Sequence, residues 1–219
     1  MMRAMRFLSR AVVLLLSFAA ACGLDDTSAG REKLLLRAAR QGNVDEVRSL
    51  LDRGVDIETR NPNDGWTPLF WAAVRGNVPV VSLLISRGAA LETRDSRGLS
   101  ALMVASRWGN KDGVAALLDG GARIESLDRN GWSALMWATF KGQTDMAAFL
   151  LDRGASVEAR DPDGRTPLIL AALNGNVQTV ELLLGRGAKA GTRGPNAMTA
   201  ADFAERNGYG DIARLLRSR

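Results

Sequence analysis

Gly65-Trp66-Thr67-Pro68-Leu69-Phe70-Trp71-Ala72-Ala73 decides the fold, because it returns. The pattern Gly-x-[Thr/Ser]-[Pro/Ala]-Leu recurs with its glycine at 65, 98, 131 and 164, a strict period of 33 residues. Further landmarks keep the same register. Ala72, Ala105, Ala138 and Ala171 fall seven residues after their glycines, and Gly76, Gly109, Gly142 and Gly175 follow four residues later. Apolar pairs end at Leu84, Leu117, Leu150 and Leu183, and Gly-Ala closes each copy at 88–89, 121–122, 154–155 and 187–188. A period of this length marks a solenoid, in which each unit is one supersecondary element too small to bury its apolar face alone.

Each copy reads as two short helices and a turn, since apolar residues recur at helical spacing on both sides of a glycine suited to a helix end. Thr67-Pro68 and Thr166-Pro167 place a hydroxyl at the N-cap and proline at the first helical position, where its missing N–H costs nothing. Ser100 and Ser133 supply the cap in the other copies. In front, Leu36, Ala38, Ala39, Gly42, Val47, Leu50, Leu51 and Gly54 match the second half of the pattern at an offset of 34, so one extra residue lies near Asn61-Pro62. Behind, Thr199, Ala204, Gly208, Ile212, Leu215 and Leu216 extend it, with Ala197 in place of the landmark glycine. Degenerate ends of this kind are what terminal capping repeats require.

The stretches 65–73 and 164–172, Gly164-Arg165-Thr166-Pro167-Leu168-Ile169-Leu170-Ala171-Ala172 in the second case, resemble ankyrin repeats. The resemblance covers residues 31–219. It implies an all-α solenoid of stacked helix-turn-helix units with β-hairpin-like loops, here four full repeats and two degenerate terminal ones, and a concave surface that binds proteins. One departure repeats. Where the family commonly has His after Thr-Pro-Leu, this chain has Phe70, Met103, Met136 and Ile169, and Asn77, Asn110, Gln143 and Asn176 stand where Gly-His is usual. The chain has no histidine, so apolar packing and amide side chains must replace the imidazole bonds.

Residues 1–21 read as an export signal: Arg3, Arg6 and Arg10, an apolar run from Ala11 to Ala21, then Cys22. The run is about half the ~20 residues that a permanent spanning helix needs. Ala19-Ala20-Ala21-Cys22 resembles the lipobox of bacterial lipoproteins, with Ala19 where Leu is preferred, so Cys22 is the expected lipidation site and the outer membrane or periplasmic face the expected location. A secreted protein cut after Ala-x-Ala, acting as an effector or inhibitor outside the producing cell, is the alternative. Residues 22–30 read as a flexible tether. Without the three leader arginines the balance is 26 basic to 24 acidic residues, too even to argue for nucleic acid.

Catalysis is not expected. Absent histidine and a single cysteine remove the commonest general base and the usual zinc ligands, and no phosphate loop or nucleophile elbow is present. No cofactor or metal is implied. Asp161 and Asp163, with Asp95 and Asp128 at the position of Asp161, recur at turns and fit side chains bonded to their own backbone.

Binding residues are then sought where the repeat leaves positions free. Trp66, Leu99, Trp132 and Arg165 precede the hydroxyl cap, and Arg75, Arg107, Trp108, Phe140 and Lys141 end the first helices. In ankyrin-like proteins these positions face the groove. Trp and Arg dominate binding hot spots, so the expected partner is a protein with an acidic and apolar surface. Packing of Trp66 and Trp132 over neighbouring loops stays open as the rival, whereas Trp71 and Trp137, next to the landmark alanines, are assigned to the inter-repeat core.

Overall fold

The computed structural model describes residues 27–219, which form twelve α-helices in six pairs with no strand among the described residues. The pairs are α1 (Ser28–Gln41) with α2 (Val44–Asp52), α3 (Pro68–Arg75) with α4 (Val78–Ser86), and α5 (Ala101–Arg107) with α6 (Lys111–Asp119). They continue as α7 (Ala134–Phe140) with α8 (Thr144–Asp152), α9 (Pro167–Leu173) with α10 (Val177–Gly185), and α11 (Ala200–Arg206) with α12 (Gly210–Arg217). The stack is an all-α solenoid. First helices pack in one row, α1 on α3, α3 on α5, α5 on α7, α7 on α9 and α9 on α11.

Local signals place the helix ends. Ser100, Ser133 and Thr166 accept the backbone N–H of Met103, Met136 and Ile169 at 3.3–3.4 Å. Thr67 differs from expectation, since its side chain makes no cap bond and Pro68 alone fixes the start of α3. The side chains that replace the family's histidine, Phe70, Met103, Met136 and Ile169, are at most 1% exposed. Each contributes roughly 1.5–3 kcal/mol by leaving water.

The expected tether is too long at its carboxyl end. Residues 28–30 are the first turn of α1, because Thr27 accepts the Gly30 N–H at 3.1 Å and its carbonyl accepts the Arg31 N–H at 3.0 Å. Cys22 and the expected signal at 1–21 lie outside the described residues. At the other end Ala197, which stands where each full repeat has its landmark glycine, holds that glycine's left-handed conformation at φ 58°.

The repeats are joined by side chains that reach across each seam. Asn77 Nδ2 donates to the Ala39 carbonyl at 2.9 Å, Asn110 to Val74 at 3.1 Å, Asn176 to Thr139 at 3.0 Å and Asn207 to Leu173 at 2.7 Å. These acceptors are carbonyls at the ends of first helices, which have no partner within their own helix. Asn77, Asn110 and Asn176 thus take the place of the absent imidazoles, whereas Gln143 makes no such bond among the described residues and Asn207 stands two residues before the equivalent position, which Tyr209 holds. On the loop side a glutamate recurs: Glu58 accepts the Ala90 N–H at 2.8 Å and the Thr93 hydroxyl at 3.1 Å, Glu92 the Arg123 N–H at 2.9 Å and the Ser126 hydroxyl at 2.6 Å, and Glu158 the Lys189 N–H at 2.9 Å. Burial opposes ionisation of Glu92, but the Ser126 hydroxyl, the Arg123 N–H and the Arg123 and Arg94 guanidiniums prevail and hold its carboxyl below the usual glutamate value. Exposed pairs, Asp52–Arg87, Asp119–Arg153 and Asp152–Arg186 at 2.7–2.8 Å, add little each.

Candidate functional site

The loops that precede the first helices are built around one buried carboxylate per repeat. Asp95 Oδ1 accepts the N–H groups of Arg97 and Leu99, both at 2.9 Å, and Asp128 does the same for Asn130 at 2.8 Å and Trp132 at 2.9 Å. Asp161 accepts the Arg165 N–H at 2.8 Å. The second oxygen of each carboxylate is taken by an indole: Trp66 Nε1 donates to Asp95 at 3.3 Å, Trp132 to Asp161 at 3.1 Å and Trp137 to Asp128 at 3.0 Å. Asp163 pairs with Arg165 at 2.7 Å. These acids are spent on turns and rings, as the recurrence predicts, and among the described residues no three His, Cys, Asp or Glu side chains converge as a metal site.

The bonds correct two of the sequence-predicted binding residues. Trp66 is 8% exposed and Leu99 3%, so neither offers surface to a partner. The buried carboxylate of the next repeat draws the Trp66 indole down over the loop, which is the packing alternative. Trp132 makes the equivalent bond and stays half-buried, and Arg165 turns its guanidinium onto Asp161 at 3.3 Å as well as Asp163, which neutralises it. By contrast Arg75 and Lys141 are exposed, Arg107 and Phe140 are half-buried, and Trp108 is 65% exposed. A tryptophan left that open is what a binding surface requires and a core does not.

The same geometry moves Trp71 and Trp137 the other way. Both are half-buried rather than core, and each lies under a cation from the preceding repeat. The Arg40 guanidinium sits 4.9 Å from the Trp71 ring centroid, and that of Arg107 sits 5.1 Å from the Trp137 centroid. Rings gather around both. Trp66 meets Trp71 at 4.6 Å edge-on, while Trp132 lies 4.8 Å from Trp137 and 5.0 Å from Phe140. Lys141 adds a third cation, 5.3 Å from the Phe140 centroid.

Arg40 and the cleft beside it were not legible as binding residues. An open cleft of about 280 Å³ is lined by Lys33, Leu36, Arg37, Arg40, Pro62 and Trp71, among others. Its wall is the loop that carries the extra residue: the Asn61 N–H donates to the Trp66 carbonyl at 2.9 Å and its carbonyl accepts the Gly65 N–H at 2.8 Å, which closes a loop one residue longer than those at Asp95, Asp128 and Asp161. Arg40 occupies the repeat position of Arg107 once the 34-residue first interval is counted, and that equivalence was the signal in the sequence.

Charge is segregated across the stack. Helices α3, α5, α7 and α9 contain no Asp or Glu, whereas the second helices α2, α6, α8 and α10 carry Asp45, Glu46, Asp112, Asp145 and Glu181. The first-helix face thus presents cations and rings with no carboxylate on its four central helices.

A family model described as ankyrin repeats (3 copies) matches residues 1–95, 91–161 and 154–219. No curated protein matches the sequence. Ankyrin repeats are generally protein–protein interaction modules and typically non-catalytic. Six stacked helix pairs, seams joined at the family's landmark positions and a family match along the chain make one conclusion plain: this chain belongs to the ankyrin-repeat family.

Proposed function

We propose that the chain is a non-catalytic scaffold of the bacterial envelope whose first-helix face, the concave groove of the family, captures an acidic and partly apolar segment of another protein. The observation that carries this reading is the pair of guanidiniums seated on indoles, Arg40 on Trp71 and Arg107 on Trp137, with no carboxylate on α3, α5 or α7. A cation lying on a ring keeps its outward edge free for a carboxylate, and the ring beside it favours an apolar side chain. Export, with a lipid anchor at Cys22, belongs to the same proposal and rests on the sequence of residues 1–22. No described helix is long and apolar enough to cross a membrane.

A photoreactive residue in place of Trp108 tests the groove in cells. It is expected to capture a partner through an acid-rich segment, with capture lost in Arg107→Glu and absent when the photoreactive residue replaces Glu181 on α10. Equal capture from both positions, or capture that survives Arg107→Glu, overturns the groove. Cys22→Ala tests the anchor: a mature protein whose mass and membrane fractionation change only by that substitution favours the secreted effector instead.

A further inference from the structure

The two cation-over-indole seats occupy the same register position two repeats apart, and the repeat between them has none. Arg40, Val74, Arg107, Phe140 and Leu173 are equivalent residues, as are Trp71, Val104 and Trp137. Val104 is fully buried, so the middle repeat offers no ring at that position. Neither Arg40 nor Arg107 has a carboxylate within ion-pair distance among the described residues, although Arg37 beside the first seat pairs with Glu46 at 3.4 Å. Each seat also has its own apolar surface, Leu36 and Pro62 at the first and Trp132 and Phe140 at the second.

The first seat lies between α1 and α3 and the second between α5 and α7. Helices pack at roughly 8–10 Å between axes, which puts the seats roughly 16–20 Å apart. An extended chain rises about 3.3 Å per residue and crosses that distance in about five or six residues. Resting on the groove reading above, we propose that this face measures spacing: it takes two acid-and-apolar dyads of one extended partner segment, one at Arg40 and Trp71 and the other at Arg107 and Trp137, about six residues apart. A second dyad held on the same segment binds at high effective concentration, so the correct spacing multiplies affinity without any further contact.

Rigid rulers test this. Acetyl-Glu-Leu-(Pro)n-Glu-Leu-amide peptides with n of 1, 4 and 7 hold the dyads about 9, 19 and 28 Å apart on the same side of a polyproline helix, whose rise is about 3.1 Å with three residues per turn. Dye-labelled on a terminal linker, they are titrated against the full chain by fluorescence anisotropy. The n = 4 peptide is expected to bind at least tenfold more tightly than the other two, and Arg40→Gln or Arg107→Gln is expected to reduce it to the level of n = 1. Three affinities within twofold of one another overturn the spacing; if both Gln variants then weaken all three equally, the acidic groove itself stands. Binding by none of the peptides at millimolar concentration also overturns the inference, and the Trp108 crosslink then decides the fate of the groove independently.

Discussion

Asn110 donates its side-chain amide to the Val74 carbonyl of the preceding repeat, and its Oδ1 lies 2.8 Å from the point a Cβ on Gly76 would occupy. The landmark glycine is therefore fixed twice, by its φ of 69° and by the amide from the next repeat that fills the space beside it. Gly76→Ala is expected to cost roughly 2 kcal/mol, the left-handed penalty plus displacement of the amide. Asn110→Ala is expected to cost roughly 1 kcal/mol. Urea denaturation of both variants measures the difference.

Ser106 is fully buried and its hydroxyl has no hydrogen-bond partner, whereas the equivalent residues in two other repeats are Ala73 and Ala172. Removing an unsatisfied buried hydroxyl returns roughly 1 kcal/mol. Ser106→Ala should raise the urea midpoint at unchanged slope, and a lower midpoint would refute the assignment.

Gly113 occupies a place held by Val80, Met146 and Thr179 in the other full repeats. A Cβ there would collide with the Ala73 carbonyl oxygen, because α6 packs against α3 at this one seam. Restoring the repeat consensus with Gly113→Val should therefore destabilise by roughly 2–3 kcal/mol rather than stabilise. A thermal melt decides the sign.

Ala197 bears the strain that glycine relieves elsewhere, with φ 58° on a residue that has a Cβ. Ala197→Gly is expected to raise stability by roughly 1 kcal/mol, the left-handed penalty less the added freedom of the unfolded chain. Chemical denaturation against the parent chain is the measurement.

Glu92 has a folded-state pKa below its unfolded value, so its contribution is complete above the unfolded value of 4.5 and disappears as pH falls through the folded one. The urea midpoint of the parent chain should drop as pH falls below about 4.5, and Glu92→Gln should be less stable at pH 7 with a shallower drop. Parallel slopes for both chains would remove Glu92 from the acid limb.

The helices, their ends and the capping repeats were legible because the 33-residue period places backbone, and backbone position follows from spacing. Ring orientation was not. Trp66 and Trp71 are five residues apart and both precede the landmark alanine, yet the carboxylate that decides between them, Asp95, belongs to the next repeat. Trp71 was left at the surface because its cation, Arg40, comes from the repeat before. The glutamates at 58, 92, 125 and 158 recur in the sequence, but each takes a backbone N–H of the next repeat, which no side-chain pattern reveals, beside the hydroxyls of Thr93, Ser126 and Thr192 where the repeat supplies one.

Two kinds of seam bond recur along the stack, an asparagine of one unit to a carbonyl of the unit before and a glutamate of one unit to an amide of the unit after. Any internal unit can thus meet the neighbour of its neighbour. For a gene encoding such a chain, gain or loss of 33 residues in frame is the change of length that disturbs folding least. The loop of Asn61 to Gly65, alone in carrying an added residue and lining the first seat, is the place where such an exchange would be felt in recognition rather than in stability.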